Sequence, residues 1–195
     1  MLGALTFHPD PHEYRLNDRI LPGVTEILTA EGCSGSDWYK EEHRQRGDAV
    51  HRITRLIDDR DWDPDTTTQA LVPYGRCYEQ FLRDSGFTPI LSEQSVCSPT
   101  YGLAGTLDRW GDWPGKGATL VDFKSGRPEP AAHLQTALYA MMLEQWLGKR
   151  TLHRAVVWLR PEGPPQVFWG NGADLQAALA VVSVYHWKRN HKVEK

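Results

Sequence analysis

The sequence predicts an α/β domain in which helices cover a central mixed β-sheet. Three observations carry that reading. Two long helix-period segments lie in the first half of the chain; three strand-patterned runs follow one another between residues 89 and 124; a helix then separates these from two more strands and a closing helix. The chain has 195 residues, of which 40% are hydrophobic and 24% charged, enough to bury one good core. Residues 1–195 therefore read as a single domain, with an N-terminal hairpin and short helix over 1–35 and the core over 36–195.

The elements follow in order. Glu13 to Leu16 and Ile20 to Leu21 read as a small β-hairpin turning at Asn17-Asp18. Thr25 is the expected cap of a short helix through about Leu28. Gly32 to Gly35 reads as a flexible link, after which Ser36 or Asp37 caps a long helix through about Asp58. Val50, Ile53 and Ile57 form its apolar stripe, while Lys40, Arg44, Gly47, His51 and Arg55 lie along a different face. After a polar loop from Asp61 to Asp65, a second helix is expected from about Thr67 to Ser85. Its core positions are Leu71, Tyr78, Phe81 and Leu82, and Gly86 stops it. Pro89 to Cys97, Gly102 to Trp110 and Ala118 to Lys124 read as strands, with Gly111 to Gly117 as the turn between the last two. Pro128 and Pro130 precede a helix through about Leu147. Strands Leu152 to Leu159 and Gln166 to Trp169 and a helix from Ala173 to about Asn190 complete the chain.

Composition narrows the function. No apolar run approaches the roughly 20 residues that cross a bilayer, and the N-terminus lacks the basic start and apolar stretch of a secretory signal. The expectation is a cytoplasmic protein with no membrane partner. Cys33, Cys77 and Cys97 are too few and too scattered for a disulfide framework, and they lack CxxC spacing. They read as reduced, packed thiols. A net charge of −3 argues neither for nor against nucleic acid.

The chemistry sits in one strand pair. Gly105-Thr106-Leu107-Asp108 ends in an acid, and Val121-Asp122-Phe123-Lys124 sets an acid and a base on one face of the next strand, since strand side chains alternate. If the two strands pair, Asp108 lies near both. Two carboxylates and an ammonium at one spot suit a divalent ion and activation of water. Magnesium and manganese take oxygen ligands, which Asp108, Asp122 and the Phe123 backbone carbonyl can supply. Lys124 then sits beside the attacking water. Gln135 and Tyr139, four apart, stack on one helix face.

GTLD, VDFKSG and the run Gln135-Thr136-Ala137-Leu138-Tyr139 resemble the PD-(D/E)XK nuclease superfamily, and most of all the branch with the RecB nuclease domain, the CRISPR-associated adaptation nucleases and phage-type exonucleases. In that branch GxxD, (D/E)xK and QxxxY motifs occur in this order. The matching span runs from Gly47 to Tyr139. The resemblance implies a restriction-endonuclease-like core and a metal-dependent deoxyribonuclease, with an exonuclease favoured. It implies a metal-ligand histidine on the upstream helix, where Arg46-Gly47-Asp48-Ala49-Val50-His51 fits. It also implies a glutamate before GxxD, at Glu93, that binds metal through water or orients Lys124. Gln135 then bonds a carboxylate or Lys124, and Tyr139 contacts a DNA phosphate.

The implied cofactor is Mg²⁺ or Mn²⁺, as one or two ions, with His51, Asp108, Asp122 and the Phe123 carbonyl as ligands. An imidazole ligand favours manganese. An iron–sulfur cluster is not expected: the branch that carries one needs four cysteines, and this chain has three. No nucleotide cofactor is expected, because no Gly-x-x-x-x-Gly-Lys-Ser/Thr run occurs. The implied partner is DNA, double- or single-stranded, with a recombination or helicase protein as a second compatible partner. Oligomeric state is left open. Arg44, Arg52, Arg55 and Arg127 are candidate phosphate contacts, and Trp62 and Trp113, in expected loops, are candidates for stacking on bases. Two other readings stay open: an endonuclease of the same fold, structure-specific or restriction-like, and a DNA-binding protein without catalysis.

Overall fold

The computed structural model describes residues 3–34 and 41–193. Three short strands, β1 (Leu5–His8), β2 (Glu13–Leu16) and β3 (Arg19–Leu21), form an antiparallel sheet in that order. Asn17 makes the hairpin turn at φ 54, a conformation that asparagine tolerates. The sequence reading had no β1. Its four residues alternate half-buried and exposed, and Leu5 and Phe7 pack with Tyr14, Leu16 and Leu21.

Helix α1 (Val24–Ala30) starts two residues earlier than expected. Gly23, not Thr25, is its N-cap, and the Glu26 carboxylate accepts the Gly23 N–H at 3.3 Å. Helix α2 (Glu41–Asp58) ends where the sequence placed its end; the caps expected at Ser36 or Asp37 lie outside the described residues. Helix α3 (Val72–Ser85) begins later than expected, with Pro73 in its first turn. The Thr66 and Thr67 hydroxyls instead donate to the Asp63 carbonyl, at 3.1 and 2.8 Å, and hold the preceding segment in local turns. Gly86, at φ 67, ends the helix by donating its N–H to the Leu82 carbonyl.

The main sheet has the order β4-β5-β6-β7-β8. Strands β4 (Thr88–Ser98), β5 (Leu103–Trp113) and β6 (Gly117–Lys124) form an antiparallel meander. Strand β6 pairs parallel with β7 (His153–Trp158) through the crossover helix α4 (Ala131–Leu147), and β8 (Gln166–Trp169) pairs antiparallel outside it. The turn expected over Gly111–Gly117 is shorter, because β5 runs on to Trp113. Gly111 serves the pairing: a Cβ there would lie 2.1 Å from the Thr88 carbonyl oxygen. Trp113 then packs with Phe81, Phe87 and Trp169. Trp62 is likewise packed, its ring against Gly75 and its Nε1 donating to Thr67. Trp113 is buried, while Trp62 is half-buried with the Arg76 guanidinium 5.2 Å from its ring centre.

Helix α4 and helix α5 (Asp174–Asn190) cover one face of the sheet, with Leu107, Leu120, Leu138, Met142, Leu143, Ala178 and Val182 in the core between. Helices α2 and α3 cover the other face over Val50, Tyr78, Phe81, Val121, Phe123 and Val157. Among the described residues no helix is long and apolar enough to cross a membrane.

Candidate active site

One face of α2 addresses the sheet. Gly47, His51, Thr54 and Asp58 recur at helical spacing, and each meets a different part. Gly47 faces Ser125, just beyond β6: a Cβ there would lie 4.0 Å from Ser125 Oγ. His51 Nδ1 lies 3.6 Å from Asp108 Oδ1 and 3.8 Å from Glu93 Oε1. Thr54 and Asp58 meet Arg109.

The β5–β6 ladder stops at the pair Arg109–Val121. Beyond it Asp108 bridges the two strands with its side chain, Oδ2 accepting the Phe123 N–H at 2.7 Å. The GxxD acid is thereby tied to the middle residue of the DxK run. Phe123 meets Asp108 through its N–H, while its ring packs among Tyr78 and Phe81.

Glu93 and Asp108 face one another in the β4–β5 register, between the pairs Ser92–Arg109 and Gln94–Leu107. Both strands change phase there. Leu107 and Trp110 share one core cluster although they are three apart, and Leu91 and Val96 share it although they are five apart. Strict alternation would send each pair to opposite faces. The backbone of Glu93 takes the strain, with φ 48, a left-handed conformation rare for a residue with a Cβ. The interruption turns both carboxylates toward His51. One ligand atom from each of His51, Glu93 and Asp108 lies within 4.8 Å of the others. Burial, and next the Asp108 charge, push the Glu93 carboxyl up; the His51 and Arg109 charges pull it back. One imidazole nitrogen and two crowded carboxylates form a donor set that fits a divalent cation.

Asp122 and Lys124 stand beside this cluster. Lys124 Nζ lies 2.9 Å from Asp122 Oδ2 and donates to Oδ1 at 3.2 Å. Asp122 is 1% exposed. Its burial pushes the carboxyl up to about 6, with Lys124 opposing the shift and Asp108 adding to it. The folded pKa therefore lies above the unfolded one. In metal-free protein this group's contribution is full below its unfolded pKa, near 3.8, and is lost as pH rises through about 6. Relative to Asp122→Asn, the metal-free protein is expected to lose denaturant stability over that window; parallel pH profiles of the two proteins would contradict this.

Lys124 also donates to Gln135 Oε1 at 3.0 Å, and Gln135 Nε2 donates to the Tyr139 hydroxyl at 3.0 Å and to Thr25 Oγ1 at 3.3 Å. The QxxxY pair thus orients the lysine from α4. Tyr139 does not reach the surface that a phosphate contact needs: it is 5% exposed, and its ring lies on Gly105. A Cβ at Gly105 would come within 2.5 Å of Tyr139 Cε1. The GxxD glycine is the seat of the QxxxY tyrosine. Gly105→Ala is expected to destabilise by about 1–3 kcal/mol through overpacking, and Tyr139→Ala in the same chain should return part of the loss in urea titration.

The arginines divide. Arg44 is exposed and paired with Glu41 and Asp48, and Arg55 lies 3.8 Å from Asp59. Arg52 and Arg127 are exposed. Sequence reading missed two others. Arg109 is fully buried in a strand whose acid had drawn the attention. Arg46 continues the Val50 stripe of α2; its Nε is buried without a hydrogen-bond partner among the described residues, and Nη2 lies 3.8 Å from where a Gly126 Cβ would stand. Its signal was its place immediately before Gly47.

The sequence matches the PD-(D/E)XK nuclease superfamily over residues 28–183, a span that holds every residue of this cluster. The chain belongs to that superfamily. A crystal structure of a candidate exonuclease from Eubacterium rectale shares its fold, with a TM-score of 0.53 at 15% identity over 87% of this chain and 74% of that one. The alkaline exonuclease of Laribacter hongkongensis aligns with a TM-score of 0.42 at 12% identity, over 87% of this chain and 76% of that one. Its complex with dAMP gives 0.43 at 12% identity, over 88% and 89%. No curated protein matches the sequence. The five-stranded mixed sheet between helices is the restriction-endonuclease-like core of a PD-(D/E)XK nuclease, and nucleases of this superfamily use divalent metal ions.

Proposed function

We propose that the protein is a metal-dependent deoxyribonuclease that hydrolyses DNA phosphodiester bonds from free ends, in recombination, repair or phage DNA processing. The observation that carries the nuclease reading is the convergence of His51, Glu93 and Asp108 beside the Asp122–Lys124 pair. His51, Glu93 and Asp108 would hold the ion, Mn²⁺ or Mg²⁺, and Asp122 and the Phe123 carbonyl of β6 are the further candidate ligands. An ion held there supplies Lewis acidity to the scissile phosphate and lowers the pKa of an attacking water. Lys124, held by Asp122 and Gln135, places its ammonium where charge develops on the phosphate. Arg46 and Arg127, at the mouth between α2 and the segment after β6, are the proposed contacts to neighbouring phosphates.

Support for the exonuclease comes from the order GxxD, DxK, QxxxY, shared with the RecB-like branch. The test compares linear with circular DNA, single- and double-stranded, with manganese or magnesium and then with EDTA. Loss of linear DNA alone, stopped by EDTA, is the expected result. Cutting of circles would replace this reading with the endonuclease, and bound metal with no cleavage of any DNA would replace it with a binding protein.

A further inference from the structure

Among the described residues the largest fully buried side chain is a charged one, Arg109. A guanidinium in the core costs several kcal/mol of desolvation unless its donors are used. Four bonds use them. Nε donates to Asp58 Oδ2 at 2.5 Å; Nη1 donates to Glu93 Oε1 at 2.9 Å and to the Asp108 carbonyl at 2.8 Å; Nη2 donates to Thr54 Oγ1 at 3.1 Å. Two further bonds fix the partners. The fully buried Tyr78 donates its hydroxyl to Asp58 Oδ1 at 2.6 Å, and Thr54 donates its own hydroxyl to the His51 carbonyl at 2.9 Å.

Arg109 therefore reaches all three residues of the cation cluster: the side chain of Glu93, the backbone of Asp108 and, through one hydroxyl, the backbone of His51. These residues stand on three separate elements, β4, β5 and α2, and α2 contributes Asp58 as the counter-charge. Glu93 also holds its left-handed backbone at the point where Arg109 grips its carboxylate, and such strain persists only when the surroundings over-determine it.

We propose that Arg109 is the positioning residue of the metal site, held by Asp58 and Tyr78, and that this buried chain sets the spacing of His51, Glu93 and Asp108 and hence the affinity for the ion. The proposal rests on the metal-dependent reading above. Arg109 touches neither DNA nor the reacting atoms; it acts through the ligands.

The test measures Mn²⁺ binding to the full chain without DNA, from the paramagnetic resonance signal of free Mn²⁺, alongside thermal unfolding. Asp58→Asn, one bond removed from the ligands, is expected to weaken Mn²⁺ binding measurably but by less than the roughly 10-fold cost of losing a direct outer partner of a ligand. Arg109→Gln should weaken it further, and Arg109→Lys should recover part of the loss. Tyr78→Phe removes a single hydroxyl at constant shape; it stands in for Asp58→Asn if that chain does not fold, and weakens Mn²⁺ binding by a smaller factor. Asp174→Asn is the control. It breaks another ion pair of low exposure, Arg154–Asp174, 3.2 Å apart at the start of α5, and should lower thermal stability with Mn²⁺ affinity intact. Folded Asp58→Asn or Tyr78→Phe protein with wild-type Mn²⁺ affinity would overturn the positioning role. A wild-type chain that binds no Mn²⁺ would instead overturn the metal reading beneath it.

Discussion

Asp108→Ala is expected to abolish metal binding and cleavage together. Asp108 joins the cation cluster to β6. Its Oδ1 faces His51 and its Oδ2 receives the Phe123 N–H, so it couples the cation cluster to the strand of Asp122 and Lys124. Losing a first ligand of a catalytic ion costs several kcal/mol, about 10³-fold or more in rate. Stability should respond less. The change leaves the Phe123 amide without its acceptor, which costs about 1–3 kcal/mol if the group stays dry. It also removes a charge that pushes both Glu93 and Asp122 up, which offsets part of that cost in metal-free protein. Asp108→Asn separates the two roles: its amide oxygen can still accept the Phe123 N–H, but the ligand charge is gone. Asn and Ala variants are therefore expected to be equally inactive, with the Asn variant more stable in urea. Cleavage near the wild-type rate in either would remove Asp108 from the metal set.

Much of this arrangement was legible in the residues, because local rules govern those parts. The phase of β6 places Asp122 and Lys124 on one face whatever surrounds them. Gln135 and Tyr139 share a helix face for the same reason, and Gly86 stops α3 where a left-handed residue is needed. The turn over Gly111–Gly117 pointed to the pairing of β5 with β6, although that turn is shorter than expected. What stayed hidden depends on contacts between distant segments. The phase break at Glu93 and Asp108 needs two strands to lose alternation at the same pair, and no single run of residues announces that. So Glu93 was read as an auxiliary acid, while the geometry sets it with His51 and Asp108 and sets Asp122 with Lys124. Tyr139 was assigned to a phosphate because its motif pointed there; the space that buries it is made by Gly105, thirty-four residues earlier in the sequence. Arg109 drew no reading from the sequence, since only the folded chain brings Asp58, Thr54 and Glu93 around it.

Lys124→Ala is the second large effect expected, and its signature differs from that of Asp108. Lys124 is not among the donors gathered for the ion, so Mn²⁺ affinity should remain within reach of wild type while turnover collapses. Removing one preorganised charge donor at a reacting phosphate costs about 10²–10³-fold in kcat. The ammonium is preorganised here: Asp122 holds it from within its own strand, and Gln135 holds it from α4. That bracing predicts a graded series. Gln135→Ala leaves the charge but frees its position, so a smaller loss of rate is expected than for Lys124→Ala. Lys124→Arg keeps a charge but replaces a compact ammonium with a broad planar group, which the same two acceptors cannot hold in the same place; it should behave more like alanine than like lysine. The loss of its counter-charge should also drive the buried Asp122 carboxyl further up, because Lys124 is the foremost group opposing that shift. Single-turnover cleavage of linear DNA, with Mn²⁺ binding measured on the same samples, resolves the series. If Lys124→Ala cleaves at the wild-type rate, the ammonium has no part in the chemistry. If it loses Mn²⁺ along with activity, its role is to hold the site together rather than to meet the phosphate.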